Sequence, residues 1–338
     1  MLPPVRAGND PSSISVLCVD LDGTLIKSDA FADSALALVR HHPSALLKFP
    51  AWLAQGKASL KQKIGNTIQL DAAQLPYNRK LVQYLEQQQA VGRPIYLATA
   101  ADASIAHSVA DHLGLFTGVL ASDGTTNLSG NKKLAAFRQH FGDNFSYIGN
   151  ARVDLPILRA SQQPMVANPT FRLRAALRRA RIAPVRTFTE QTSPLKAWVR
   201  AIRIHQWAKN LLIFLPLLLA HVRDIGLVAA SAIAFLSFSL CASATYIVND
   251  LLDLDADRQH PRKRRRPFAA GDLSALAGLA VVCVFLAASA VLALAVPHVI
   301  VRISPGLALA QPYHFLFWLV VYAITTMAYS LALKRAVI

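Results

Sequence analysis

The chain has 338 residues, 54% of them hydrophobic, and a formal net charge of +16. That length allows two domains, and so apolar a composition argues against an ordinary soluble protein. Ten of the Lys and Arg residues fall between Arg172 and Lys209 and six between Arg258 and Arg266, beside apolar runs. This placement fits the positive-inside rule and sets nucleic-acid binding aside. Cys18, Cys241 and Cys283 are isolated in apolar runs, so no disulfide or zinc framework is expected. The N-terminus lacks a basic region followed by an apolar core, and no cleaved signal peptide is expected.

In chain order, residues 1–13 are rich in Pro, Gly, Asn and Ser and read as a loose tail. Ile14 to Val19 reads as a buried strand running into Asp20-Leu21-Asp22-Gly23-Thr24. Carboxylates at i and i+2 then lie at the carboxyl end of a parallel-type strand, where open α/β sheets bind ligands. Two carboxylates so close can share a magnesium ion; one can attack a phosphoryl group while the other handles the proton. Residues 30 to about 90 read as helical. Within them Ala45 to Leu53 is apolar around Pro50 and reads as a core helix broken by the proline, or as a surface that touches lipid. Pro94 to Ala98 is a strand ending at Thr99. Ser129 to Leu134 opens a helical pattern holding Lys132 and Lys133. Phe145 to Ile148 is a strand running into Gly149-Asn150-Ala151-Arg152-Val153-Asp154. His41, His42, His107, His112 and His140 show no metal-type spacing.

These motifs, in this order, resemble those of the haloacid dehalogenase (HAD) phosphohydrolase superfamily. The resemblance implies a Rossmann-like α/β domain over residues 14–160 with a helical cap over about 30–90. It implies catalytic roles for Asp20, Asp22, Thr99 and Lys133, with Lys132 the alternative cation. Magnesium would be held by Asp20, Asp22, Asn150 and Asp154. Asn150 stands where the family's GDxxxD motif has its first Asp; it offers an oxygen but no charge, so weaker magnesium binding and impaired hydrolysis are expected.

Residues 161–200 read as a basic linker. Phe171 to Ile182 has the pattern of a basic amphipathic helix, either a solvated face or one lying along anionic headgroups. Val185 to Pro194 is polar and reads as extended.

Residues 201–338 read as a membrane domain. Leu211 to Ala220 is a short apolar run interrupted by Pro216; Ile225 to Val248, Leu273 to Val296 and Tyr313 to Leu333 are long enough to span. Basic segments precede the first run, separate the second from the third, and follow the fourth at Lys334 and Arg335. This alternation places the N-terminal domain and the stretch Asn249 to Pro267 on the cytoplasmic side of a multi-pass plasma or inner-membrane protein. Asp250, Asp253 and Asp257 step by three and four and share a helical face, with Asn249 one position back. Such an array beside lipid can hold magnesium bridging a diphosphate, and the cations that follow complement the same anion.

The wording NDxxDxxxD followed by HPxKRxRPxAxG is similar to the first Asp-rich motif of the UbiA family of intramembrane prenyltransferases, in its decaprenyl-phosphate phosphoribosyltransferase branch. Arg203, His205, Gln206, Trp207, Lys209 and Asn210 resemble the start of that family's first helix. The resemblance implies magnesium held by Asp250, Asp253 and Asp257, and a diphosphate bound by Lys209, Asn249, His260, Lys263, Arg264 and Arg266. It also implies a polyprenyl or polyprenyl-phosphate lipid, with a diphosphate donor such as phosphoribosyl diphosphate. UbiA proteins have about nine spans and a second Asp-rich motif, neither of which fits within this sequence. The expectation is therefore a two-part molecule: an α/β HAD domain, then an all-α bundle of about four membrane helices, half of a UbiA bundle. Weak transferase activity, or a partner chain supplying the other half, is expected with it. The rival readings are a membrane-anchored phosphatase and a phosphate-binding module without catalysis.

Overall fold

The structure is a computed structural model that describes residues 15–68, 70–122, 127–190, 192–304 and 312–330, without the side chains of 46, 57, 58, 62 and 66. They form two compact units. The first runs to Thr192 and takes in Arg258–Pro261 and Ala270–Asp272. The second holds Ser193–Asp257, Arg262–Ala269 and the chain from Leu273 on.

The first unit alternates strands and helices: β1 (Val16–Val19), α1 (Ala30–His41), α2 (Phe49–Ala54), α3 (Lys57–Thr67), α4 (Arg79–Ala90), β2 (Ile95–Asp102), α5 (Ala103–Leu113), β3 (Gly118–Ser122), α6 (Asn131–Phe141), β4 (Phe145–Gly149), α7 (Leu155–Ala160), β5 (Pro164–Ala167), α8 (Phe171–Ala180) and β6 (Arg186–Phe188). The six strands form one parallel sheet in the order β3-β2-β1-β4-β5-β6. Successive side chains of a strand point to opposite faces. Leu17 and Val19 therefore join one core with Leu38, Ile64 and Leu81, while Val16 and Cys18 join a second with Phe137, Tyr147 and Leu173. Both faces being covered explains why β1 reads as an unbroken apolar run. The strand order reverses at β1, so the carboxyl ends of β1, β2 and β4 border one crevice.

Two readings of the sequence are corrected here. Residues 161–192 are not a linker, because they supply β5, α8 and β6 to the sheet. The basic pattern of α8 is a solvated face: Leu173 and Leu177 are buried against the sheet and the arginines lie opposite. Pro50 does not break a helix either. It sits in the first turn of α2, where its missing N–H costs no hydrogen bond.

The second unit is helical: α9 (Pro194–Ile202), a 3-10 stretch over Ile204–Phe214, α10 (Leu215–Leu219), α11 (Ile225–Leu252), α12 (Leu254–Gln259), α13 (Ala275–Ile303) and α14 (His314–Ala328). Among the described residues, two helices are long and apolar enough to cross a membrane: α11 with 28 residues and α13 with 29. The expected first span is not one continuous helix, since residues 204–214 are 3-10 and Pro216 opens the five-residue α10. The fourth apolar run appears as the 15-residue α14, and Lys334 and Arg335 lie outside the described residues. Ser237 and Ser289 join α11 to α13: each hydroxyl donates to the other's backbone carbonyl, both at 2.8 Å. Such bonds satisfy hydroxyls that lipid could not. At the turn before α11, Asp224 accepts from the Leu227 N–H and from the Ser304 hydroxyl at the end of α13.

Candidate active sites

The first site is built at the carboxyl ends of β1, β2 and β4. Asp20 follows β1 directly and is buried; Lys133, buried on α6, donates to its Oδ1 at 2.7 Å. The same ammonium donates to the Ala98 carbonyl at 3.1 Å, beside the buried Thr99, and approaches the Tyr147 hydroxyl at 3.3 Å. Lys133 is thus the lysine that meets Asp20, while Lys132 is exposed. Thr24 Oγ1 lies 3.4 Å from the other Asp20 oxygen. Asp22 accepts from the Ala30 N–H at 2.8 Å, which ties it to the start of α1.

Asn150 and Asp154 come to the same place by a different route. Asp154 accepts from the backbone N–H groups of Asn150 and Ala151, at 3.1 and 2.9 Å, and from the Tyr147 hydroxyl at 3.0 Å. Asp154 therefore holds the loop after β4 in shape. Its carboxylate lies so close to Gly149 that a Cβ there would meet an oxygen at 2.8 Å. The Asn150 amide packs on Gly23, where an added Cβ would meet Nδ2 at 1.9 Å, and Gly23 has φ +69°. Only glycine suits that turn on both counts. Tyr147, which joins Lys133 to Asp154, escaped the sequence reading. Its position two residues before Gly149 on an inward face of β4 was the available signal.

Electrostatics separate the two leading carboxylates. Burial pushes the Asp20 carboxyl up to about 6, with Lys133 beside it acting the other way. Burial, then the charges of Asp29 and Asp20, push Asp22 up to about 8. Two carboxyl groups with unequal proton affinities in one crevice suit a nucleophile and a proton donor.

The second site lies at the end of α11. Ser239, Ser243, Tyr246 and Asp250 recur at helical spacing, and the chain from 202 to 210 docks on that stripe. Asn210 Nδ2 donates to Ser239 at 2.9 Å, Trp207 Nε1 donates to Ser243 at 3.0 Å, and Ser243 donates to the Ile202 carbonyl at 2.9 Å. The Arg203 guanidinium stacks 4.8 Å from the Tyr246 ring centroid and donates to Asp250 Oδ1 at 2.6 Å. Arg266 Nη1 donates to that same Asp250 oxygen at 3.0 Å and to Asp257 Oδ2 at 2.8 Å. Asp250, Asp253 and Asp257 are all buried. The helix is interrupted at Asp253, yet the Asp253 N–H still donates to the Asn249 carbonyl and the Asp257 N–H to that of Asp253. Burial raises the Asp257 carboxyl above its ordinary range, against the pull of Arg266.

Of the expected anion-binding residues, Arg266 faces the acids, Asn249 is half-buried beside them, and Lys209, His260, Lys263 and Arg264 are solvent-exposed. Arg203, which carried the likeness to the first helix, turns out to be part of the acid cluster. Each site offers a cation carboxylate oxygens, and the first an amide oxygen as well, the donor chemistry that suits magnesium. In the first the donors would be Asp20, Asp22 and Asn150; in the second, Asp250, Asp253 and Asp257. Among the described residues no three His, Cys, Asp or Glu side chains converge on one point, so an ion at either site would complete its shell with water or phosphate oxygens.

Comparison with known proteins agrees with this division. Residues 211–338 match the UbiA prenyltransferase family. An uncharacterized protein of Sinorhizobium fredii, y4nM, is 38% identical over 322 residues, which is 94% of this chain and 59% of that one. A decaprenyl-phosphate phosphoribosyltransferase of Mycobacterium tuberculosis is 46% identical over 78 residues, 22% of this chain and 26% of that one. Among solved structures, a HAD family hydrolase of Salmonella enterica aligns with TM-score 0.35 and 14% identity over 48% of this chain and 64% of that one. The chain spans about three-fifths of the length of y4nM and about a quarter of that of the phosphoribosyltransferase. Over residues 211–338 the chain is thus similar to the UbiA prenyltransferase family.

Proposed function

We propose that the second unit takes part in group transfer between a polyprenyl phosphate and a donor that releases diphosphate, and that the first is a phosphatase for the phosphorylated product or a related metabolite. The observation that carries the transferase reading is the pair of buried acids Asp250 and Asp257, joined by the half-buried Arg266, at the end of a 28-residue apolar helix. Ions so placed are costly beside lipid unless they serve a charged ligand. The phosphoribosyltransferase relative supports a lipid phosphate as acceptor and phosphoribosyl diphosphate as donor. In that reaction a lipid phosphate oxygen bonds to the anomeric carbon while the bond from that carbon to diphosphate breaks. Magnesium bound by the acids would neutralise the departing diphosphate. Asp250, Asp253 and Asp257 would orient the ligand, and Arg203 and Arg266 would offset its charge. The alternation of basic segments supports a multi-pass protein with both sites on the cytoplasmic side.

In the first unit, Asp20 would attack the phosphorus of a phosphomonoester while Asp22 gives its proton to the departing oxygen. Asp22 would then take a proton from the water that cleaves the phosphoryl-aspartate. Lys133 and Thr99 would hold the phosphoryl oxygens. One observation favours a second reading, phosphate binding without turnover: Asn150 removes a charge from the site, and Asp154 is already committed to the loop.

The test uses the full chain in membranes. Labelled polyprenyl phosphate and phosphoribosyl diphosphate should give a lipid-linked product that Asp250→Ala abolishes. Release of phosphate should need magnesium and fail in Asp20→Asn. Equal release by both proteins would remove the phosphatase reading. If Asn150→Asp raises magnesium affinity about tenfold, roughly 1.4 kcal/mol, and creates turnover where there was none, the native first unit binds phosphate without hydrolysing it.

A further inference from the structure

We propose that residues 43–54 of the first unit form a lipid-docking face: its apolar side chains enter the headgroup layer of an anionic bilayer, and the cations along the same segment meet the lipid phosphates.

Three observations carry it. The first is an apolar surface with a firm backing. From Ala45 to Ala54 the sequence runs ALLKFPAWLA, in which Lys48 alone is polar. Phe49 and Trp52, with ring centroids 6.0 Å apart, pack against the core and hold α2 in place. Pro50, Ala51, Leu53 and Ala54 are left exposed, with Leu47 just ahead of them. Leu47 is 86% exposed and Leu53 55%. Single exposed leucines are ordinary, but α2 has no polar side chain on any face. A helix apolar all round belongs against other apolar matter.

The second observation is charge. No Asp or Glu occurs between Asp33 and Asp71, whereas Arg40, Lys48, Lys57, Lys61 and Lys63 all do. Apolar insertion flanked by cations is what holds an interfacial segment on anionic lipid. A second copy of the same face would instead set these cations against one another. Thirdly, the chain carries α11 and α13, both long and apolar enough to cross a membrane. Tethering to such helices presents a bilayer to the face at high effective concentration. The face also lies close to the first site in the chain's own packing. Helix α3 follows α2, and its Lys61 donates to the Ala100 carbonyl at 2.9 Å, next to Thr99. Docking would thus favour phosphomonoesters carried at the bilayer surface.

The test is electron paramagnetic resonance power saturation of the full chain in nanodiscs. Spin labels are placed by Leu47→Cys or Leu53→Cys in a Cys283→Ser background, since Cys18 and Cys241 are buried. Val91→Cys is the reference: Val91 is 64% exposed and precedes β2, at the amino end of the sheet. In phosphatidylglycerol nanodiscs, the labels at 47 and 53 should meet oxygen, which enters lipid, several-fold more than a water-soluble nickel chelate. The label at 91 should meet the chelate freely. In phosphatidylcholine nanodiscs, the labels at 47 and 53 should move toward the value at 91. Labels at 47 and 53 as aqueous as the one at 91 in both lipids would overturn the proposal. Equal embedding in both lipids would overturn the role given to the cations. Shielding from both reagents, with dipolar broadening between labels, would assign the face to a second copy of the chain and overturn lipid docking. None of these readings depends on turnover at either site.

Discussion

The two acid sites of this molecule manage buried negative charge in different ways. In the first unit one lysine serves Asp20 on a single oxygen and spends its remaining donors on the Ala98 carbonyl and the Tyr147 hydroxyl. In the second, two arginines converge on one oxygen of Asp250, and one of them also reaches Asp257. An ammonium is a compact charge that can stay put while chemistry happens at the neighbouring oxygen. Guanidinium groups carry planar donors that match carboxylate and phosphate alike, so they can change partners. The contrast is between one compact cation held by three oxygens and two planar cations sharing one carboxylate oxygen.

The comparison can be broken most directly at Lys133. Lys133→Met leaves Asp20 buried without its cation, and losing one partner of a buried pair costs about 3–5 kcal/mol. Thermal unfolding of the full chain in detergent should show that loss fade as pH falls through about 6, where Asp20 takes a proton and needs no partner. In the second unit, Asp250→Asn should cost less, about 1–3 kcal/mol, because Arg266 keeps Asp257 and Arg203 keeps Tyr246. A larger loss than at Lys133, read in the same unfolding assay, would reverse the ranking. Gly23→Ala should cost about 1–2 kcal/mol from its left-handed backbone alone, with the clash against Asn150 added. A paired Asn150→Ala change should recover the part due to the clash.

The smallest effect is on pH dependence. Asp22 has a folded value raised to about 8 from an ordinary 3.8. Protonation is thus favoured by folding, so this contribution to stability is complete below about pH 4 and is lost as pH rises through 8. In chelator, the full chain should lose stability across that window, and Asp22→Asn should flatten the slope. A slope of the opposite sign, or one unchanged in Asp22→Asn, would remove the unequal carboxylates from the argument.

Much of the first site was legible because its residues sit at strand ends, where chain direction and carboxylate spacing are both local properties. Asp20, Thr99 and Asn150 follow runs that could be read as strands, and helix α6 turns Lys133 inward. What could not be read was the rest of the sheet. β5 is four residues long, and β6 has a single buried side chain, Phe188, so neither shows a period. The amphipathic face of α8 fits a sheet as well as a lipid surface until its neighbours are known. In the second unit the acids were visible as a helical face, but the partnership of Asp250 with Arg203 spans 47 positions and leaves no local trace. The reach of Arg266 back to two acids was likewise hidden in a basic run that also reads as a topological anchor.

The stripe on α11 works as a ruler. Segment 204–214 is a 3-10 stretch with no buried residue, so side-chain hydrogen bonds, not burial, hold it on α11. Its place is set by Ser239, Ser243, Tyr246 and Asp250, counted off by the turns of α11. Spacing there matters more than identity: one alanine inserted between Ser243 and Tyr246 would rotate Asp250 by about 100° away from Ser243. The upper hydrogen bonds would then survive while Arg203 lost its acid. A deletion at the same point would swing Asp250 the other way with the same outcome. The acid cluster is therefore aligned by arithmetic along a helix whose other faces pack on α13 and α14.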